Sequence, residues 1–203
     1  MATKKLTPRK RPRQERSVAT VEAILQAATY ILTKRGWAAF TTNAVAEKAG
    51  VNIASLYQYF PNKDSIVRAL KARTLEGLQA ALAEALAASD DLDLEGKVRA
   101  LVTALLREKS RHPRLGGELI RLMDRLQGDA MLVQVTNGAR SLLRRLLEAH
   151  RDEVVADIDG ATFLLVHGIQ GVLDAVVRDP RGRFDDPALH ESLVRLVLGF
   201  VRV

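Results

Sequence analysis

Two short helical segments separated by a single glycine lie between Thr41 and Ser65, in the run TTNAVAEKAGVNIASLYQYFPNKDS. The threonine hydroxyls at its start can cap a first helix, whose free amides need acceptors. Gly50 suits the left-handed residue that ends a helix. Pro61 ends the second helix, because the residue before a proline is pushed out of helical geometry. Two short helices that cross at a glycine-containing turn predict a helix-turn-helix, whose second helix enters the DNA major groove.

The second of these helices and the residues just after it are rich in hydrogen-bond donors and poor in acidic groups. Such a surface suits a polyanion such as a phosphate backbone. The donors are Ser55, Tyr57, Gln58, Tyr59 and Lys63. Ordinary core packing is the alternative for the aromatic residues. We expect Phe60 in the core, and we expect Tyr57 and Tyr59 to bury their rings and direct their hydroxyls outward.

The same stretch resembles a known family. The run Leu-Tyr-x-Tyr-Phe-x-Asn-Lys-Asp, within AGVNIASLYQYFPNKDSIV and preceded by TTNAVAE, is similar to the DNA-binding domain of the TetR (tetracycline-repressor) family of transcriptional regulators. The resemblance covers residues 18–70, and the rest of the chain is similar only in length and helical character. It implies a double-stranded DNA operator, a homodimer joined through a four-helix bundle, and a variable helical domain that binds a small-molecule effector.

Two kinds of DNA contact follow from the side chains of this stretch. Gln58 can pair with adenine, and Ile53 or Ala54 can touch a thymine methyl, although packing explains the last two equally well. The base-edge candidates are Asn43, Ile53, Ala54, Ser55 and Gln58. Lys63 lies in the first turn of a helix, where a cation is unfavourable unless a phosphate binds there. With Thr42, which the resemblance adds, the candidates for phosphate contact are Thr42, Tyr57, Tyr59 and Lys63.

Length and composition favour an all-α protein of two domains. Hydrophobic residues make up 47% of the 203 residues, aromatic residues only 4%, and strand-like alternation is hard to find. We expect about nine helices. A three-helix DNA-binding domain would cover residues 17–64, and a larger helical domain for ligand binding and dimerisation would cover residues 65–203.

Residues 1–16 carry most of the positive charge. They contain seven lysines and arginines and one glutamate, a net charge of +6, whereas the whole chain has a net charge of +7. With two prolines and few apolar residues, this segment is expected to be disordered in isolation. It is interpreted either as a basic arm that follows the DNA backbone or minor groove, or as a solubilising tail.

The last two helical segments predict a dimer. Apolar residues surround most of the segment from Asp159 to Arg178, and the final segment is also broadly apolar. A monomer would expose much of this surface, so a homodimer is expected. The predicted interface residues are Val172, Val176, Leu193, Leu196, Val197 and Phe200.

An effector pocket is expected between helices of the larger domain, a common place for apolar ligand sites. The candidate lining residues are Leu105, Met123, Leu126, His167 and Gln170. For His167, a satisfied core or interface histidine is the alternative. The few aromatic residues argue against a pocket built on aromatic stacking.

The sequence gives little indication of metal binding, catalysis or nucleotide binding. The four histidines lack metal-ligand spacing, and there is no nucleophile elbow, phosphate loop or dinucleotide fingerprint. We therefore expect no catalytic residue, metal or cofactor. The chain has no cysteine, no signal-peptide pattern and no apolar run long enough to span a membrane, so a cytoplasmic location is expected. The predicted function is a transcriptional regulator, most simply a repressor released from a palindromic operator by a small molecule. The alternative is an architectural DNA-binding protein or a helical enzyme without ligand control.

Overall fold

The computed structural model describes residues 15–125, 130–155, 157–179 and 182–202, with backbone alone for residues 15–16, 123–125 and 130–136. This part of the chain forms nine α-helices and two single 3-10 turns, and it contains no strand. The all-α prediction is confirmed. The helices are α1 (Glu15–Arg35), α2 (Thr42–Ala49), α3 (Ile53–Tyr59), α4 (Lys63–Ala87), α5 (Leu94–Arg111), α6 (Pro113–Arg125), α7 (Ala130–Ala149), α8 (Ile158–Arg178) and α9 (Pro187–Val201).

The helices pack as two units. The first contains residues 15–74 together with 118–125, and the second contains residues 75–117 together with the described part of 128–203. Helices α4 and α6 therefore each continue from one unit into the other. The expected division after residue 64 falls at the start of α4, whereas the packing division falls within that helix.

The first unit is held together by a small apolar core. Helix α1 contributes Ile24, Ile31 and Leu32, whose spacing places them on one face. Each fully buried side chain of this kind contributes roughly 1.5–3 kcal/mol, which offsets the cost of ordering helices too short to be stable alone. The other fully buried members are Ala28, Phe40, Val45, Leu56, Phe60, Ile66, Val67 and Leu119.

The second unit has a separate core, built from α5, α7, α8 and α9. Helix α5 supplies Leu94, Val98 and Val102 at intervals of four residues, and α7 supplies the adjacent pair Leu146 and Leu147. Helices α8 and α9 close this core from other sides, as their apolar composition predicts. Their buried residues in it are Ala161, Leu165, Leu173, Leu193, Val194, Val197 and Val201.

Three helices of the second unit begin at an aspartate. The Asp93 carboxylate accepts a hydrogen bond from the Gly96 amide at 2.8 Å, and Asp157 accepts from Gly160 at 2.9 Å. Asp186 caps α9, whose first residue is a proline that has no amide hydrogen to satisfy. These caps define where α5, α8 and α9 start, and each typically contributes about 1 kcal/mol.

Helix α8 corrects the expectation that no segment is apolar enough to span a membrane. By length and composition alone its 21 residues are sufficient. However, α8 carries Asp159 and Asp174 and packs Leu165 and Leu173 into the core of the second unit. A core helix of a soluble protein passes the same test, so one such helix is weak evidence for a membrane span.

Candidate nucleic-acid interface

Helices α2 and α3 meet at a tight corner that two side-chain caps and one left-handed glycine define. Thr41 Oγ1 accepts a hydrogen bond from the Ala44 amide at 3.1 Å, which caps α2. Gly50 is left-handed, with φ 65°, and its amide donates to carbonyls of the last turn of α2. Asn52 Oδ1 accepts from the Ala54 amide at 2.8 Å and caps α3. This corner is the predicted helix-turn-helix.

Burial divides α3 into an inner and an outer face. Leu56 is fully buried, and Tyr59 keeps only 8% of its surface exposed. Positions 54, 57 and 58 are exposed and recur at helical spacing, so Ala54, Tyr57 and Gln58 share the outer face. The helix therefore presents a small residue, a phenol and an amide to solvent, with no acidic side chain among them.

The remaining base-edge candidates differ in their exposure. Asn43 is exposed in the first turn of α2, whereas Ile53 and Ser55 are half-buried on α3. Part of each of these two half-buried side chains packs against the protein, and only the rest is open to DNA. Tyr59 is buried in the first unit, as expected, whereas Tyr57 is 41% exposed, so the expectation of a buried ring is wrong for Tyr57.

A hydrogen bond joins the two helices on the outside. Thr42 Oγ1 lies 3.0 Å from the Tyr57 hydroxyl, and either atom can be the donor. The contact links the first turn of α2 to the outer face of α3. A hydroxyl pair fixed in this way offers donors and acceptors at one point, which suits a phosphate oxygen.

Helix α4 begins with its own cap and a basic residue. The Ser65 amide donates to Asn62 Oδ1 at 2.9 Å, and the Ser65 hydroxyl donates to the Asn62 carbonyl at 2.6 Å. Lys63 follows directly in the first turn, and its ammonium lies 3.9 Å from the centre of the Trp37 ring. The indole face holds the cation at a helix N-terminus, a position that its own charge disfavours.

The position of Trp37 in the sequence does not indicate this role. Its ring is half-buried, stacks on Phe40 with centroids 5.5 Å apart and carries Lys63 on its face. A second pair of the same kind places the Lys48 ammonium 4.2 Å from the centre of the Tyr30 ring. Neither pair has a recognisable spacing, because both join residues that only the fold brings together.

In the second unit, α8 and α9 leave large apolar side chains exposed. Phe163 and Leu164 keep 49% and 54% of their surface in solvent. Of the predicted interface residues, Val172, Leu196 and Phe200 are also exposed. We call the set Phe163, Leu164, Val172, Leu196 and Phe200 the apolar face.

Two predicted interface residues require correction. Leu193 and Val197 are only 2% and 4% exposed, and they pack in the protomer's own core. Val176 is half-buried against that core. Helix α9 is apolar on two sides, so its sequence could not indicate which side faces inward.

The second unit also contains an apolar cavity of about 130 Å³. The predicted pocket residues Leu105 and Gln170 line it. His167 does not belong to this lining: it is exposed, and its ring lies 4.6 Å from that of Phe163. Leu126 and the side chain of Met123 lie outside the described residues.

The shifted carboxylates of the second unit belong to ion pairs. A hydrogen bond from Arg202 at 2.6 Å, aided by one from His150 at 3.1 Å, lowers the pKa of Glu153. A hydrogen bond from Arg99 at 2.7 Å likewise lowers the pKa of Glu191. Both clusters tie helices or loops together at the surface. Within the described ranges, no group of three or more His, Cys, Asp or Glu residues could hold a metal ion.

The corner of α2 and α3, with its outward donors, defines a helix-turn-helix DNA-binding domain, and a second, all-helical domain accompanies it. Two family models match these parts. "Bacterial regulatory proteins, tetR family" matches residues 24–70, and "Tetracyclin repressor-like, C-terminal domain" matches residues 93–200. The chain belongs to the TetR family of bacterial transcriptional regulators.

Individual relatives agree with this assignment. Over 51 residues the chain is 45% identical to the uncharacterized HTH-type transcriptional regulator YvkB of Bacillus subtilis (strain 168), an alignment that spans 25% of this chain and 27% of YvkB. A TetR-family regulator from Streptomyces coelicolor has the same fold, with a TM-score of 0.67 and 24% identity over 90% of this chain and 97% of that chain. SmeT, the repressor of the Stenotrophomonas maltophilia multidrug efflux pump SmeDEF, has a TM-score of 0.61 and 25% identity over 91% of this chain and 89% of SmeT.

Proposed function

We propose that this chain is a homodimeric repressor that binds a palindromic operator in double-stranded DNA and leaves it when a small molecule binds. The observation that carries the proposal is the outer face of α3, a helix without an acidic residue, which presents Tyr57 and Gln58 beside Ala54. SmeT is named as a repressor, which supports repression over activation for this chain.

Exposure ranks the DNA contacts. Gln58 and Asn43 are the best placed to read base edges, because both are exposed and both amides can make paired bonds to adenine. Ala54 is exposed and small enough to meet a thymine methyl. Ile53 and Ser55, which are half-buried, contribute shape and secondary contacts.

Four residues position the duplex without reading it. Thr42 and Tyr57 hold each other's hydroxyl groups at 3.0 Å, and Lys63 is held over Trp37 at the start of α4. Tyr59 contributes its hydroxyl alone. Such contacts act on any sequence, because a phosphate carries no base identity.

The apolar face supports the dimer. Five large apolar side chains exposed on two adjacent helices are a surface that a monomer rarely leaves uncovered. An isologous interface between two copies of the apolar face buries it by pairing α8 and α9 with their symmetry mates, as a four-helix bundle does. Two copies of α3 would then meet half-sites about 34–36 Å apart.

The cavity supports ligand control. An effector acts only through a difference in its affinity for the DNA-bound and free conformations. Helices α4 and α6 are available to carry that difference, because the residues of each belong partly to the first unit and partly to the second. A ligand that binds tightly and leaves operator affinity unchanged would not be the inducer.

A footprint on the DNA that flanks the chain's own gene tests the proposal. One protected palindrome is the expected result. Phe200→Glu, which charges the apolar face, should make the protein monomeric by sedimentation and remove the footprint at low protein concentration. Leu92→Glu charges an apolar residue of similar exposure outside the apolar face, 44% against 40% for Phe200, and should leave both unchanged. Diffuse coverage, or a monomeric wild type with a full palindromic footprint, would contradict the proposal.

The rival is an architectural DNA-binding protein, which would cover DNA with little sequence preference and a steep salt dependence. An enzyme is a weaker rival, since the titratable clusters described above are surface ion pairs. We infer that the protein is not an enzyme and acts in the cytoplasm, where its operator would lie.

The basic arm of residues 1–16 lies almost wholly outside the described residues and stays a prediction. Deleting residues 2–14 should make the slope of log K against log salt shallower if the arm meets phosphates. An unchanged slope would leave it a solubilising tail.

A further inference from the structure

The cavity of the second unit has an unusually uniform wall. Helices α4, α5, α7, α8 and α9 all contribute to it, and thirteen of the fourteen described lining residues are aliphatic. No charged and no aromatic side chain lines it among the described residues. The lining residues are Leu78, Leu82, Val98, Leu101, Val102, Leu105, Ala139, Leu142, Leu143, Val166, Ile169, Gln170, Leu173 and Val197.

This wall selects against charged ligands. An ion that leaves water for an apolar site needs a compensating charge or several hydrogen bonds, and without them it binds poorly. A carboxylate would find no lysine or arginine in the described lining, and an ammonium would find no carboxylate there. The described lining therefore favours a ligand whose enclosed part is neutral.

Gln170, the one polar residue of the described lining, is oriented by a neighbour. Its Nε2 donates a hydrogen bond of 2.5 Å to Asp174 Oδ1. Only the amide nitrogen can donate to a carboxylate, so this bond also assigns the two ends of the amide. The carbonyl oxygen of Gln170 is then the acceptor left for a ligand. The ligand should carry a hydrogen-bond donor, such as a hydroxyl.

The size of the cavity limits the ligand further. Its volume of about 130 Å³ is close to the roughly 150 Å³ of an apolar cavity that holds benzene. A chain of about six carbon atoms with a terminal hydroxyl is of similar size. The described lining offers apolar contact to a hydrocarbon chain but no ring for an aromatic ligand to stack on.

We propose that this cavity binds a neutral aliphatic molecule through a hydrocarbon chain packed among its leucines and valines and one donor aimed at Gln170 Oε1, with medium-chain alcohols as the simplest members of the class. The inference rests on the proposed function, because it names the chemistry of the effector. It differs from a site for fatty acids or for cationic aromatic compounds, which would need charged or aromatic partners.

Calorimetry on the full chain tests this with four probes of similar size: 1-hexanol, 1-methoxypentane, hexanoate and hexylammonium. We expect 1-hexanol to bind best. The ether lacks the donor and should bind about fivefold more weakly, as the loss of one neutral hydrogen bond predicts. The two ions should bind at least about tenfold more weakly. Hexanoate binding as tightly as 1-hexanol would overturn the proposal.

Two variants locate the binding. Gln170→Leu should remove the difference between the alcohol and the ether, because both then meet an apolar wall. Leu105→Phe should weaken all binding by filling the cavity, whereas Val155→Phe, at an exposed position, should bind every probe as the wild type does. Gln170→Leu carries the test alone if Leu105→Phe does not fold. An alcohol–ether difference that persists in Gln170→Leu would overturn the proposal.

The result of the ligand-binding experiment can be distinguished from the result of the operator footprint. The operator footprint is measured without any ligand, so its failure concerns DNA binding alone. Selective binding of 1-hexanol supports the cavity assignment whether or not DNA is released. If 1-hexanol binds with the expected selectivity but operator affinity stays constant, the ligand class stands and its role as effector falls.

Discussion

Lys63→Ala should weaken binding to every DNA sequence by a similar factor. A lysine that neutralises one phosphate releases about 0.9 of a counterion, so its loss makes the slope of log K against log salt shallower by about 0.9 per subunit. At 0.15 M salt this corresponds to roughly fivefold in affinity per subunit, and about 25-fold for a dimer that engages both half-sites. The variant also loses the contact with the Trp37 ring, which costs about 1 kcal/mol of stability because both residues are half-buried.

Lys48→Ala is the matched control, because it removes the same charge and an equivalent contact with the Tyr30 ring. Lys48 lies in the last turn of α2, at the opposite end from Thr42. Fluorescence anisotropy with a labelled operator at five salt concentrations gives each slope. We expect the slope to change only for Lys63→Ala. A salt slope for Lys63→Ala equal to that of the wild type, or the same change of slope in Lys63→Ala and Lys48→Ala, would refute a specific phosphate contact.

Three further predictions concern stability, measured by denaturant or thermal unfolding. Gly50→Ala should destabilise the protein by about 1–2 kcal/mol, because a residue with a Cβ is strained at the positive φ of this position even though no atom would clash with it. Gly116→Ala, on helical backbone with open space around it, should stabilise the protein by up to about 1 kcal/mol. Asn52→Ala should cost about 1 kcal/mol through loss of the α3 cap, and an unchanged midpoint would argue against that cap. Arg202 lowers the pKa of Glu153 below its ordinary 4.5, so the stabilisation from this ion pair is present above about pH 4.5 and is lost as the pH falls further. Arg202→Gln should therefore reduce the loss of stability below pH 4.5, and a pH dependence parallel to that of the wild type would contradict this prediction.

Local rules predicted the helix-turn-helix well. A glycine at the end of α2 and a proline after α3 each have one dominant physical role, so their positions predict the corner directly. The division between the units was less accessible, because α4 runs through it without any break in its sequence pattern.

Features that depend on three-dimensional neighbours were not predictable. The sequence placed Leu193 and Val197 in the dimer interface, yet both side chains pack in the core of their own protomer. Because α9 is apolar on two sides, its sequence does not show which side faces that core. His167 was nominated for the pocket but lies on the exposed side of α8 with Phe163. The Lys63–Trp37 pair joins residues far apart in the chain, and no spacing rule announces it.

The central claim is that α3 reads base edges through its outer face. Equilibrium selection from randomised palindromic duplexes, with the wild type, Gln58→Ala and Lys63→Ala, tests it most directly. We predict that Gln58→Ala relaxes the preference at one base pair in each half-site by about 1–3 kcal/mol, while Lys63→Ala selects the wild-type consensus with lower affinity. An unchanged consensus and discrimination with Gln58→Ala would contradict the claim.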